Sequence, residues 1–155
     1  IFIDTLMELA QNDPAVVLVV CDVGFSYIER FAEKFPKQFL NLGVTEQTAT
    51  GVCAGLAYSG MKPYLYSMIN FVLMRNYEQL RNDICYANAN VKIMGVKGGE
   101  AYKFLGFSHN LEGKENEHDL LKNLPNINEH YPDPTNCELH IKAEYGRIGP
   151  AYFRL

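Results

Sequence analysis

Long apolar runs, basic blocks and paired cysteines are all missing from this chain of 155 residues. No apolar run approaches the roughly 20 residues of a membrane span, and no signal peptide opens the chain. The 14 basic residues are outnumbered by 18 acidic ones, giving a net charge of −4. That balance argues against nucleic acid and anionic membrane surfaces as partners. Cys21, Cys53, Cys85 and Cys137 lie far apart, without a C-x-x-C pair. Cys21 and Cys53 have apolar neighbours, the pattern of reduced, buried thiols in a cytoplasmic protein. With 48% hydrophobic and 21% charged residues, a disordered chain is excluded. An initiator Met is absent as well, so a domain cut or processed from something longer is expected. The length suits one domain, residues 1–155, with a sizeable core.

Apolar and helical segments alternate along the chain. Ala15 to Cys21 is a continuous apolar run, as in a strand covered on both faces. Phe39 to Leu42, Tyr64 to Ser67, Val91 to Val96, Ile127 to Tyr131 and Ala151 to Leu155 read as further strands. Helical spacing marks the first turns from Phe2 to Ala10, then Ile28 to Phe35, Glu46 to Ser59 and Phe71 to Ala87. Lys97 to Asn116 carries four Gly and little periodicity, so a long functional loop is expected there. The alternation predicts a three-layer α/β/α sandwich with a mainly parallel sheet of about six strands. Ligands gather at the carboxyl ends of such strands, which directs attention to the loops after Cys21, Leu42, Ser67 and Val96.

Glu46 opens a helix directly after a strand–Gly turn. A glutamate in a first helical turn complements the helix dipole without any further role, yet this one stands at the ligand-binding edge. The surrounding string is more specific. Asn41-Leu42-Gly43-Val44-Thr45-Glu46-Gln47, Gly51 to Ala57, Gly60-Met61-Lys62-Pro63, Arg75 to Asp83, Gly106-Phe107-Ser108-His109 and Leu124-Pro125-Asn126 follow one another in order. Together they resemble the pyrimidine-binding domain of transketolase-type thiamine diphosphate enzymes, from about Val16 to Leu155.

That resemblance implies the thiamine diphosphate-binding fold and a set of roles. Glu46 would hydrogen-bond the aminopyrimidine ring nitrogen of thiamine diphosphate and act in a proton relay. Phe71, Met68 and Met74 would wall the pyrimidine, the two methionines standing where many members carry aromatics. Val23 would support the bent cofactor, while Asp22 and Ser26 would face substrate. His109 matches a histidine that contacts a substrate oxygen, and Lys97 stands where many members carry a second one. His118, His130 and His140 gain no role and read as surface residues; their spacing suits no metal site. Several residues are inserted between His109 and Leu124.

The chain has no Gly-Asp-Gly…Asn element, which in the family holds Mg²⁺ for the diphosphate. The resemblance therefore implies a partner: a diphosphate-binding domain or subunit, in a homodimer or heterotetramer, that supplies the Mg²⁺. The expected activity is two-carbon ketol transfer between sugar phosphates in the cytoplasm. The alternatives are a component of 1-deoxyxylulose-5-phosphate synthase or a 2-oxo acid dehydrogenase, or a non-catalytic module on the same fold.

Overall fold

The computed structural model describes residues 1–155, the side chains of Glu100 and Ala101 excepted. Its elements run α1 (Phe2–Asn12), β1 (Val16–Val20), α2 (Glu29–Lys34), β2 (Phe39–Asn41), α3 (Glu46–Tyr58) and β3 (Lys62–Met68). A helical run follows in which α4 (Tyr77–Gln79) is flanked by π-helical turns, Phe71–Arg75 and Leu80–Tyr86. The remainder comprises β4 (Lys92–Val96), 3₁₀ turns over Glu100–Ser108, α5 (Glu117–Leu121), β5 (Asn128–His130), α6 (Cys137–Gly146) and β6 (Ala151–Arg154).

All five strand pairings are parallel, in the order β2-β1-β3-β4-β6-β5. Every residue of β1 is buried because helices cover both faces, which is why the strand shows no polar alternation. On one face α1, α2 and α6 bring Ile3, Leu6, Phe31 and Ile141 against Leu18, Tyr64 and Phe153. On the other, Ala49, Cys53, Leu73 and Ile84 pack on Val19, Leu65, Ile93 and Tyr152. Small side chains on α3 let that helix approach the sheet closely. The α/β sandwich expected from the sequence is the fold observed.

From β1 the chain passes outward to the edge strand β2 and returns to β3 on the opposite side of β1. That reversal opens a crevice beyond the carboxyl ends of β1 and β3, where Val20 and Tyr66 are register partners. Two glycines shape its rim. Gly24 adopts φ +89, and a Cβ there would meet the Tyr66 ring at 2.9 Å. A Cβ on Gly98 would overlap the Asn110 carboxamide and lie 2.6 Å from the His109 carbonyl.

Two expectations need correction. Much of the segment expected as a long loop is 3₁₀ helix, broken at Gly106 where φ is 61. His130 and His140 are half-buried and face each other, their Nδ1 atoms 3.0 Å apart, with His130 stacked on Phe153. Each looked solitary in sequence; the parallel pairing of β5 with β6 and the α6 crossover between them bring them together. His118 is exposed, as expected, and all four cysteines are free and buried.

Candidate functional site

A cavity of about 340 Å³ occupies the crevice, lined by residues that include Cys21, Asp22, Val23, Phe25, Val44, Glu46, Met68, Phe71, Arg75, Tyr102 and His109. It forms where the loops after β1, β2, β3 and β4 converge. Asn41 joins two of them: its Oδ1 accepts from the Asp22 N–H at 3.2 Å and the Gly43 N–H at 3.0 Å. Asp22 and Ser26 both hold positive φ, 54 and 63, conformations that non-Gly residues adopt only when their surroundings impose them.

Glu46 is the first residue of α3 and is fully buried. The helix N-terminus favours its negative charge. Ser67 Oγ donates to Glu46 Oε1 at 3.2 Å, and Arg75 Nη1 donates to Oε2. Thr50 Oγ1 donates to the Glu46 carbonyl at 2.8 Å and accepts from Asn76 Nδ2 at 2.6 Å, so α3 is locked to the helical run that carries Arg75. The Arg75 guanidinium lies 4.3 Å from the Phe71 ring centroid, within cation–π range. A burial-dominated shift, with the Glu46 charge adding to it, pushes the Cys21 thiol up to about 12, so it lines the cavity as a neutral group.

His109 packs edge-on to Phe71 at 4.9 Å and stacks on Tyr102 at 6.2 Å. Ser108 Oγ gives its proton to the Leu105 carbonyl at 2.9 Å and lies 2.8 Å from His109 Nδ1. A hydroxyl has one proton, so Nδ1–H donates to Oγ, which leaves Nε2 outside this bond. Asn70 steadies the segment by donating to the carbonyls of Phe107 at 3.0 Å and Asn110 at 3.3 Å.

Glu46, His109, Phe71, Met68, Val23 and Asp22 are thus brought to one cavity. Lys97 instead lines an adjoining cavity of about 400 Å³ that shares His109 and includes Arg154. Met74 is exposed and lines a separate hollow with Lys114 and Glu115. The wider π turn carries Arg75 over Phe71 and rotates Met74 outward. Ser26 has its N–H bound to Glu29 Oε1 at 2.8 Å and is not part of the lining. Sequence reasoning gave no individual role to Arg75, Ser67, Asn41 and Asn70, which the structure sets against Glu46 and the loops around the cavity; the signal for Arg75 was a cation four residues after Phe71 on one helix.

The profile of the "Transketolase, pyrimidine binding domain" family matches residues 1–155. The chain belongs to this family. An apulose-4-phosphate transketolase subunit of Phocaeicola vulgatus is 41% identical over 99% of this chain and 49% of its own length. The 1-deoxy-D-xylulose-5-phosphate synthase of Halalkalibacterium halodurans is 37% identical over 99% of this chain and 25% of its own. Among solved structures, one described as "Split gene transketolase, inactive beta4 tetramer" superposes with a TM-score of 0.83 at 33% identity, covering 99% of this chain and 49% of that one. A transketolase mutant from Pichia stipitis, at 15% identity and a TM-score of 0.75, shares the fold. The chain spans about half the length of the apulose-4-phosphate transketolase subunits it matches. Among the described residues, no helix is long and apolar enough to cross a membrane, and no group of three His, Cys, Asp or Glu side chains is placed to hold a metal ion.

Proposed function

We propose that residues 1–155 form the pyrimidine-binding half of a transketolase-type thiamine diphosphate enzyme that moves a two-carbon ketol unit between sugar phosphates. The observation that carries this reading is the fully buried Glu46 carboxyl at the head of α3, opening into an apolar cavity beside Phe71. The lining fits the group: Val23, Val44 and Met68 give apolar surface, Phe71 gives an aromatic face, and one carboxyl answers one ring nitrogen. When bound, thiamine diphosphate supplies the carbon nucleophile and electron sink.

In this reading Glu46 holds and moves the proton at the pyrimidine ring nitrogen, with Ser67 fixing its orientation. Phe71 and Met68 sandwich the ring, the sulfur adding polarisable contact, and Val23 supports the bend of the cofactor. His109 accepts or returns a proton at a substrate oxygen through Nε2, and Asp22 faces substrate hydroxyls. Lys97, in the adjoining cavity, meets the charged end of the substrate. Ser26 acts through its backbone in shaping the loop, and Met74 has no part in the wall.

Mg²⁺ and the diphosphate belong, in this reading, to a counterpart domain or subunit, in a cytoplasmic dimer or heterotetramer serving carbohydrate metabolism. The neighbour described as an inactive tetramer of a split-gene transketolase supports the need for a counterpart. The test is co-expression with a diphosphate-binding half carrying Gly-Asp-Gly…Asn, then donor assays with xylulose 5-phosphate and with pyruvate. Transfer from xylulose 5-phosphate is expected. Turnover of pyruvate alone would move the chain to the 1-deoxyxylulose-5-phosphate synthase reaction, and failure of the assembly to bind thiamine diphosphate would leave a non-catalytic module.

A further inference from the structure

The Glu46 carboxyl has both oxygens engaged before any ligand arrives. Oε1 accepts from Ser67, which is fully buried, and Oε2 accepts from Arg75, whose side chain is 41% exposed. The same guanidinium covers the Phe71 ring. A guanidinium is a planar, delocalised cation that donates in its plane and stacks through its faces. Those are the two contacts, one carboxyl oxygen and one aromatic face, that the proposed site offers an aminopyrimidine. Arg75 and a bound pyrimidine therefore compete for the same partners.

We infer that Arg75 is an internal stand-in for the aminopyrimidine, occupying the Glu46 carboxyl and the Phe71 face until the cofactor displaces it. This inference rests on the proposed pyrimidine site. Of the two donors on Glu46, Ser67 is fixed within β3, whereas Arg75 stands at the solvent edge. Its displacement also removes the positive charge beside Oε2, which favours the carboxyl sharing a proton with a ring nitrogen. Arg75 is thus a positioning residue that governs when Glu46 is available. A closed majority state lowers apparent affinity by the fraction of open chains. Because the contact exists only without cofactor, it slows association and leaves dissociation unchanged.

The experiment is stopped-flow and calorimetric titration with thiamine diphosphate, using the full chain assembled with its diphosphate-binding half in Mg²⁺. Wild type is compared with Arg75→Met, which has no charge or planar head, and Arg75→Lys, which keeps only the charge. The inference predicts association roughly tenfold faster in Arg75→Met, dissociation within about twofold of wild type, and Arg75→Lys in between. Should Arg75→Met fail to fold, a roughly threefold faster association in Arg75→Lys carries the same test. Association that is unchanged or slower in the folded variants, with wild type binding normally, overturns the gating role alone. Absence of binding by wild type and variants alike overturns the pyrimidine site and the gate with it.

Discussion

Two buried glutamates, Glu46 and Glu144, sit at opposite ends of the sheet in contrasting surroundings. Glu144 is enclosed. Asn128 and His130 donate to Oε1 at 2.8 and 2.9 Å, while Arg147 Nε and Lys92 Nζ lie 2.7 and 3.5 Å from Oε2. Lys92 is itself buried and donates to the carbonyls of Arg147 at 3.1 Å and Gly149 at 2.6 Å. Burial pushes Lys92 down to about 8 against the pull of the Glu144 charge. Glu46 has two donors, one of them a half-exposed arginine, and opens into a cavity. A carboxylate saturated by fixed partners holds elements together; one held by a removable partner beside a cavity is poised to meet a ligand.

Substitution separates the two. In the assembled enzyme, Glu46→Ala is expected to lower turnover by about 10²–10⁴-fold, with a stability loss of only about 1 kcal/mol because Arg75 escapes to water. Turnover within a few fold of wild type would remove the proton-relay assignment. Glu144→Ala should do the reverse. Stranding the buried Lys92 charge costs about 3–5 kcal/mol in urea denaturation, while thiamine diphosphate affinity stays put.

Acid titration sharpens the contrast. Burial alone would raise the Glu144 carboxyl, but the bonds from Asn128, His130 and Arg147 and the Lys92 charge hold it at about 2, against an ordinary value of 4.5. The folded state therefore releases this proton more readily than the unfolded chain. Its contribution, about 3 kcal/mol, is complete above pH 4.5 and fades as pH falls through about 2. Acid unfolding of wild type compared with Glu144→Gln checks this, since the variant lacks that part of the pH dependence. The smallest effect is expected at Met74, whose truncation to Ala should change stability by no more than about 0.5 kcal/mol and leave cofactor affinity unaltered.

Much of the fold is legible because its strands are uninterrupted apolar runs, as in Val16 to Val20, and its helices end at Gly or Pro signals such as Gly60 and Pro36. Glu46, Phe71 and His109 were found through the order of motifs, and topology brings them to one crevice. What escaped detection depends on distance along the chain. Lys92 and Glu144 are 52 residues apart, and nothing in the local pattern of either announces a buried ion pair. Met74, which the resemblance puts at the pyrimidine wall, is exposed on the far side of a π turn, and such a turn changes which side chains share a face. The 3₁₀ turns over Glu100–Ser108 were hidden by glycines and lack of periodicity.

The most direct test follows the proton on the thiazolium C2 carbon of thiamine diphosphate bound to the assembled enzyme, by NMR-detected exchange with deuterium. Glu46 as the proton-holding group predicts exchange at least about a hundredfold slower in Glu46→Gln than in wild type, with Glu144→Gln unchanged. Equal exchange in wild type and Glu46→Gln would contradict the assignment.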